Sequence, residues 1–438
     1  MADNTTPASV RRELTQKFDA LPIFKRDRAT ALYHYCVALD MSSNPYIVHP
    51  DLWGEAGRHA VEASTRAIPA IFRLCPTVAT TLPVQFNAAV FIEAKELVEF
   101  AFAYDQIMYC FGLSDRGQFD VRYDALTRRT VFSYASSDTS AADTLLRSHE
   151  RDAQFEEATD ADKALVIQLA GEAKSELERT ILFVAPDALS YPFSPALLAV
   201  ARRWADVLAK ARRWEFPPDL SIGNVTFGDV RKFWSAVAVI ASIHEMAHMI
   251  VAQGEAKNRP RGSMIAVKSR EEWSELIREI AGIGAGAALE LLWWYTFDLT
   301  VSEMSGPIQP FLEMVPGHLC MPTILVTTSN VERNLQKLLN RHPNLRSFYE
   351  KVKGAKETIA LAHLKGHFPD TAFAVKPTVI IHGITDADLL VCERATGFVL
   401  VIQHKWLIAP ETAAESGNND DSLRVGATQA VEARDAFV

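Results

Sequence analysis

Apolar residues recur at helical spacing up to about residue 345, which predicts a series of amphipathic and buried helices. The strongest helical patterns cover residues 10–21, 87–111, 161–185, 195–216 and 227–254. Between residues 133 and 163, Ser, Asp, Thr and Ala predominate, as is typical of an exposed linker. Most of the chain is therefore predicted to be helical, with one interruption.

The pattern changes near residue 346. A helix predicted over residues 347–368 is followed by three runs with the character of β-strands, at 372–383, 387–393 and 397–408. We therefore predict a mainly α protein with a C-terminal α/β segment. Its expected parts are an N-terminal helical region (1–132), a linker (133–163), a helical domain (164–345) and a C-terminal α/β domain (346–438).

The composition is that of an ordinary globular protein, because 48% of the 438 residues are hydrophobic and 23% are charged. A net charge of −9 argues against a wholly basic nucleic-acid binder, although it leaves room for a local basic channel. The five cysteines are scattered without a CxxC pair, which disfavours disulfides and cysteine–zinc knuckles. The N-terminal residues lack the apolar run of a signal peptide. We expect a cytoplasmic protein.

The helix predicted over residues 227–254 carries the first candidate chemistry. Its apolar part is interrupted by His244, Glu245 and His248, which spell HExxH. Residues four apart share one helix face, so the two imidazoles can converge on one ion. Zinc accepts neutral imidazole nitrogen, and the glutamate can take a proton from a zinc-bound water. We predict a catalytic Zn²⁺ site with His244 and His248 as ligands and Glu245 as the base.

A third zinc ligand is expected from a second helix, which begins near Ser269 and continues through the small residues after Glu279. Together with HExxH, this helix resembles the gluzincin-type zinc metallopeptidases, many of which carry a glutamate ligand in a segment of the form ExxADxxGA. When the segment is aligned on Glu279 its small residues match, whereas Ile283 replaces its aspartate. The resemblance implies a zincin-like helical core in the domain 164–345. It also implies Glu279 as the third ligand, with Glu275 as the alternative.

Two apolar segments, residues 233–251 and 280–297, approach the length that spans a membrane. The glutamates before the second segment and the amphipathic pattern elsewhere favour helices buried around a site. No stable membrane insertion is therefore expected.

The last two predicted strands carry the second candidate chemistry. Asp386 and Asp388 open the first of them, and Gln403 and Lys405 end the second. Strand alternation places Gln403 and Lys405 on one face, with Asp388 on the neighbouring strand. This arrangement resembles the PD-(D/E)XK nuclease superfamily, with Gln403 in the QxK form found in Mrr-like restriction enzymes. The resemblance implies that Asp388 and Gln403 hold Mg²⁺ while Lys405 positions or activates the attacking water.

The helix that follows, with Gln429 and Arg434, resembles the supporting helix of the same superfamily. We therefore expect a restriction-endonuclease-like sheet after the zincin-like core. Such a sheet normally continues with a further strand, but the chain stops at Val438. Two interpretations stay open: a truncated gene product, or an incomplete nuclease fold.

Three functions are compatible with these patterns. The first is a zinc metallopeptidase that hydrolyses a protein or peptide substrate through a metal-activated water, fused to a nuclease-like domain. The second is a Mg²⁺-dependent DNA endonuclease in which the HExxH region is structural. The third is a non-catalytic scaffold with degenerate metal sites, which Ile283 and Gln403 favour. Because both resemblances recur in bacterial defence against phage, that role is expected by analogy.

Overall fold

A computed structural model describes residues 6–47, 50–78, 82, 84–124, 129–137, 159–185, 188–211, 216–253, 265–301, 306–327, 329–381, 385–405 and 413–435. The described part is mostly helical with small sheets, as expected of a mainly α protein with a C-terminal sheet segment. Most of the predicted linker lies outside the described residues.

The chain divides into two compact units. The first comprises Met1–Ser133 and Arg151–Pro343, and the second comprises Tyr134–Glu150 and Asn344–Val438. The N-terminal helices therefore belong to the same unit as the HExxH helix. The boundary after Pro343 falls close to the start predicted for the C-terminal domain.

The elements before residue 344 are mainly helices. They are α1 (Pro7–Asp19), a 3-10 helix (Pro22–Lys25), α2 (Arg28–Ile47), α3 (Pro50–Leu74), α4 (Ala88–Asp115), α5 (Asp160–Thr180), α6 (Pro195–Ala211), α7 (Phe227–Gln253), α8 (Arg270–Ala281), α9 (Ala285–Trp294), α10 (Thr323–Thr327) and α11 (Val331–Arg341). The strands are β1 (Phe119–Asp124), β2 (Arg129–Tyr134), β3 (Leu182–Ala185), β4 (Ala188–Ser190), β5 (Ser221–Ile222), β6 (Val225–Thr226), β7 (Ile265–Ser269), β8 (Leu312–Val315) and β9 (His318–Pro322). The last three form an antiparallel sheet in the order β7-β9-β8.

The helix α7 forms where it was predicted, and reciprocal capping fixes its first turn. The backbone N–H of Thr226 donates to Asp229 Oδ2 at 2.8 Å, and the N–H of Asp229 donates to Thr226 Oγ1 at 3.1 Å. Such a capping box satisfies donors that a helix start leaves without intrahelical partners. Further along, the rings of Phe233 and Trp234 lie 5.6 and 4.9 Å from that of Tyr295. The helix therefore lies in the core of the first unit.

The second predicted zinc helix is two helices, which corrects the sequence interpretation. Its start is as predicted, because Ser269 caps α8 through a capping box with Glu272. The helix then ends at Ala281, because Gly282 adopts a left-handed conformation with φ of 62°. Glycine avoids the Cβ clash that other residues meet in this conformation. Gly284 caps the start of α9, so these small residues separate two helices.

Two hairpins lie in regions that were predicted to be helical. The strands β1 and β2 follow α4, and β3 begins two residues after α5 ends at Thr180. The residues at 181–185 are apolar and include a β-branched and an aromatic side chain, which suit a strand as well as a helix. Hydrophobic periodicity over so short a run does not distinguish a strand from a helix.

The second unit contains α12 (Arg346–Gly366), β10 (Phe373–Ile381), β11 (Thr385–Glu393), β12 (Val399–Ile402) and α13 (Ala413–Asp435). Its strands form an antiparallel sheet in the order β10-β11-β12, and Leu389 of β11 pairs with Ile402 of β12. The strand β12 ends at Ile402, so Gln403 and Lys405 follow the strand that they were expected to end. The turn between β11 and β12 contains Gly397, whose φ is 73°.

One described helix segment, Phe227–Val251, is long and apolar enough to cross a membrane by length and composition alone. The buried core helix of a globular unit passes the same test, and most of this segment is buried. The segment is therefore weak evidence for a membrane span.

Replacing Gly282 with alanine is expected to destabilise the first unit by about 1 kcal/mol, because a Cβ atom is unfavourable at its positive φ. Gly286→Ala is the matched control, since Gly286 lies within α9 and a Cβ atom there would meet nothing within 4 Å. That change should stabilise by about 0.5–1 kcal/mol. Urea denaturation followed by circular dichroism measures both changes. Equal effects of the two substitutions would contradict the proposed helix break.

Candidate functional site

The helix α7 carries the HExxH residues within the first unit. His244 is buried, with 4% of its surface exposed, whereas Glu245 and His248 retain partial exposure. The Nδ1 atom of His244 lies 2.9 Å from the hydroxyl of Tyr191, which follows β4. Burial raises the pKa of the Tyr191 phenol, so this hydroxyl stays protonated at neutral pH. A hydrogen bond at Nδ1 fixes the orientation of the ring and leaves Nε2 as the atom that can meet a metal.

Two desolvated carboxyl groups belong to this site: Glu245 on α7 itself and Asp40 on a neighbouring helix. Burial raises the pKa of Asp40, on α2, to about 8, and the charge of Glu245 acts in the same direction. Burial likewise raises the pKa of the Glu245 carboxyl to about 7, and a hydrogen bond with the Thr323 side chain partly offsets the rise. Both acids therefore exchange protons near neutral pH, where general acid–base chemistry operates.

Asp40 also has a structural role. Its carboxylate accepts hydrogen bonds from the backbone N–H of Thr323 at 3.1 Å and of Ile324 at 3.3 Å, and from the Thr323 hydroxyl at 3.3 Å. These residues open α10, so a carboxylate 283 residues earlier in the chain satisfies two of the backbone donors at the start of that short helix. The contact holds Thr323 between the two acids.

The predicted third zinc ligand, Glu279, lies in the last turn of α8, where its backbone carbonyl accepts a hydrogen bond from Arg202 Nε at 2.7 Å. The alternative, Glu275, is exposed and pairs with Arg278 at 3.1 Å. Across the described ranges, no group of three or more His, Cys, Asp or Glu side chains is arranged to hold a metal ion. The histidine pair suits zinc, and Glu279 as the third ligand stays a prediction.

The sequence did not identify three residues of this site: Asp40, Thr323 and Tyr191. The sequence holds a signal for Asp40, because this acid follows a mostly apolar run at residues 31–39 of α2. An acid that follows such a run must find donors inside the protein. Its partners lie on remote segments, however, so the sequence offers no spacing that would have connected the three residues.

In the second unit, strand register brings the predicted nuclease residues to one end of the sheet. Continuing the β11–β12 register by one residue places Asp388 opposite Gln403. The backbone N–H of His404 donates to Asp388 Oδ2 at 2.6 Å, which ties the two segments together beyond the end of β12. Asp388, Gln403 and Lys405 are all half-buried. The three predicted residues therefore share one end of this strand pair.

Lys405 lies against the helix α13. A Cβ atom at Gly426 would lie 3.0 Å from both Cγ and Cε of Lys405, so the lysine chain runs across the glycine. Gly426, Gln429 and Ala433 are spaced three and four residues apart and share one helix face, and both Gly426 and Ala433 are buried. The helix therefore supports Lys405 and presents Gln429 on the same face.

Acceptor atoms at this end of the sheet fit a cation. Within the part of the chain that the structure describes, the Oε1 atoms of Gln403 and Gln429 are buried and have no hydrogen-bond partner. A buried acceptor of this kind is costly unless another group satisfies it. Mg²⁺ takes oxygen ligands and usually retains several waters, so Asp388 and the Gln403 amide oxygen can provide the ligands that come from the protein. The residues present therefore fit Mg²⁺.

No protein-family model, curated protein or solved structure matches the chain. The function is therefore argued from the two sites themselves.

The Asp40→Asn variant tests the buried acids through the pH dependence of stability. The folded-state pKa of Asp40, about 8, lies above the unfolded value of about 3.9, so ionisation opposes folding. This contribution to stability is present below the unfolded pKa and is lost as pH rises through the folded pKa. Glu245 contributes with the same sign.

We expect the stability of Asp40→Asn relative to the wild type to rise by at least about 1 kcal/mol between pH 5 and pH 8. Urea denaturation at both pH values measures the difference. The control is Asp219→Asn, since Asp219 is an exposed aspartate of the same unit. Parallel pH profiles of wild type and Asp40→Asn would show that the Asp40 carboxyl does not titrate in this range.

Proposed function

We propose that the second unit hydrolyses phosphodiester bonds in DNA with the help of Mg²⁺. The observation that carries the proposal is that Asp388, Gln403 and Lys405 lie at the same end of the β11–β12 pair. The element order α12, β10, β11, β12, α13 supports the resemblance to PD-(D/E)XK nucleases, since the sheet is antiparallel and a helix packs against it. The resemblance alone suggests DNA as the substrate.

The residues of the site have distinct roles in this proposal. Bound Mg²⁺ would supply Lewis-acid stabilisation of a phosphoryl oxygen and lower the pKa of a bound water. Asp388 and Gln403 would hold the ion, and the His404 N–H keeps the Asp388 carboxylate oriented. Lys405 brings a positive charge that can orient the attacking water or stabilise charge that develops on the phosphate. Contact with Gly426 restricts the lysine chain to positions near the sheet.

Gln403 has a consequence for metal binding. An amide oxygen carries less negative charge than a carboxylate, so the protein attracts Mg²⁺ less strongly than a site with two acids would. The substrate phosphate then has to provide a larger share of the negative charge that surrounds the Mg²⁺ ion. We therefore expect metal binding to be much tighter in the presence of DNA.

Lys405→Met tests the proposed role of the lysine, because methionine retains a chain that can pack on Gly426 and removes the charge. Mg²⁺-dependent cleavage of duplex DNA should fall by about 100-fold or more. The matched control is Lys376→Met, since Lys376 is an exposed lysine on β10. Cleavage of a labelled duplex under single-turnover conditions, with and without Mg²⁺, measures the effect.

A companion variant, Gly426→Ala, tests positioning. The added Cβ atom would press on the Lys405 chain, so cleavage should fall by about tenfold or more while the unit stays folded. Absence of Mg²⁺-dependent cleavage in the wild type, or full activity of Lys405→Met, would overturn the proposal.

A second candidate function is hydrolysis at the HExxH helix, of a peptide bond as the family resemblance implies. Two observations favour it. His244 is oriented by Tyr191 at 2.9 Å, and burial holds the pKa of the Glu245 carboxyl at about 7, where it can accept and return a proton. His244 and His248 would hold zinc. This function is placed second, and Glu279 as its third ligand stays a prediction.

The zinc content of the purified protein tests this second function. About one zinc ion per chain should survive dialysis in the wild type and be lost in His244→Ala, because two imidazoles on one helix face are the core of the predicted ligand set. His318→Ala is the control, since this histidine lies on β9 in the same unit. Glu245→Gln should keep the zinc and lose hydrolysis of a casein substrate. If zinc is retained when His244→Ala is combined with His363→Ala, which disrupts the exposed histidine pair of α12, the HExxH helix is not the binding site.

Failure of both functions would leave the third interpretation, a scaffold with degenerate metal sites. A role in phage defence stays a prediction that rests on the two resemblances. The cytoplasmic location expected from the sequence stays a prediction as well.

A further inference from the structure

Two histidines on α12 converge outside both candidate sites. His363 and His367 are four residues apart on one face of the helix, in its last turn and at its C-cap, and both are exposed. Their Nε2 atoms lie 3.4 Å apart, the ring centroids are 4.9 Å apart, and the ring planes are perpendicular. Neither residue has a role in the proposed hydrolysis of DNA or peptides.

The distance between the two Nε2 atoms can be compared with that of a hydrogen bond and with that of two nitrogens bound to one metal ion. Without a metal, the two rings make a hydrogen bond in which one Nε2 donates and the other accepts, and its 3.4 Å is longer than the usual length of about 2.9–3.0 Å. Two imidazole nitrogens bound to one zinc ion at about 2.0–2.1 Å each, with a tetrahedral angle of about 109°, lie about 3.3–3.4 Å apart. The observed 3.4 Å between the Nε2 atoms of His363 and His367 has this value.

We propose that His363 and His367 form a surface site for a divalent first-row transition-metal ion of the zinc, nickel and copper class. Neutral imidazole is a preferred ligand of these ions, whereas Mg²⁺ prefers oxygen. Waters complete the coordination, because both side chains are open to solvent. By the general order of stability of such complexes, Cu²⁺ binds more tightly than Zn²⁺.

Bound metal would also act on the helix. A link between residues four apart closes one turn, and here that turn is the last one of α12. The chain continues from this turn through Phe368, whose ring lies 5.4 Å from that of Phe373 at the start of β10. The ion therefore restrains the point at which the helix passes into the sheet.

The test uses the full-length protein and Cu²⁺ as the probe. In the His244→Ala background, which disrupts the histidine pair of α7, electron paramagnetic resonance should show two equatorial imidazole nitrogens on one bound Cu²⁺, and that signature should be lost when His363→Ala or His367→Ala is added. Calorimetric titration with Zn²⁺ should show affinity for this site falling by about tenfold or more in either variant. Lys365→Ala is the control, since Lys365 is exposed between the two histidines and lies on another face of the helix.

Separate variants distinguish this site from the HExxH helix. The two-nitrogen Cu²⁺ signature assigned to α12 should persist in His244→Ala, because that residue lies on α7. Circular dichroism of all variants reports whether the helices remain folded. Metal binding that is unchanged in both His363→Ala and His367→Ala, or absent in the wild type, would overturn the proposal.

Discussion

A single buried carboxylate connects two remote parts of the first unit. Asp40 accepts hydrogen bonds from the first residues of α10, and the chain between these partners includes the whole HExxH helix. A carboxylate removed from water is destabilising unless donors surround it, so these contacts restrict how α2 can pack against α10. The environment of Glu245 depends on the same contact, because Thr323 hydrogen-bonds to both acids. The raised pKa values of the two carboxyl groups indicate that the donors only partly replace the lost water.

Features that depend on neighbouring residues could be predicted from the sequence, whereas contacts between remote residues could not. The capping box at Thr226 and the start of α8 at Ser269 follow from residues three positions apart. The contact of Asp40 with Thr323 spans 283 residues, and that of Tyr191 with His244 spans 53. Such pairs leave no periodic signal in the chain. The break between α8 and α9 was only partly predictable. The sequence shows the glycines, but it does not show which of them adopts a positive φ.

The second unit illustrates the same division at shorter range. The strands β11 and β12 are joined by a tight turn, so strand alternation and a short loop were enough to place Asp388 near Gln403 and Lys405. The sequence did not indicate that β12 would end at Ile402, because the polar residues 403–405 are followed by a further apolar run at 406–408. The contact between Lys405 and Gly426 depends on the packing of α13, which is a tertiary property. The residues of the candidate site therefore come from neighbouring strands, whereas the contact that supports Lys405 comes from a helix packed against them.

Protonation compensates the charge of two acids in the first unit, Asp40 and Glu245. With raised pKa values of about 8 and about 7, Asp40 and Glu245 can be neutral near physiological pH. A zinc ion held by His244 and His248 would favour the ionised form of a nearby carboxyl and would release its proton. The end of the β11–β12 pair differs, because its buried amide oxygens carry no titratable proton and only a donor or a cation can satisfy them. Protonation can therefore compensate the two acids of the first unit, whereas it cannot satisfy the amide oxygens of the second.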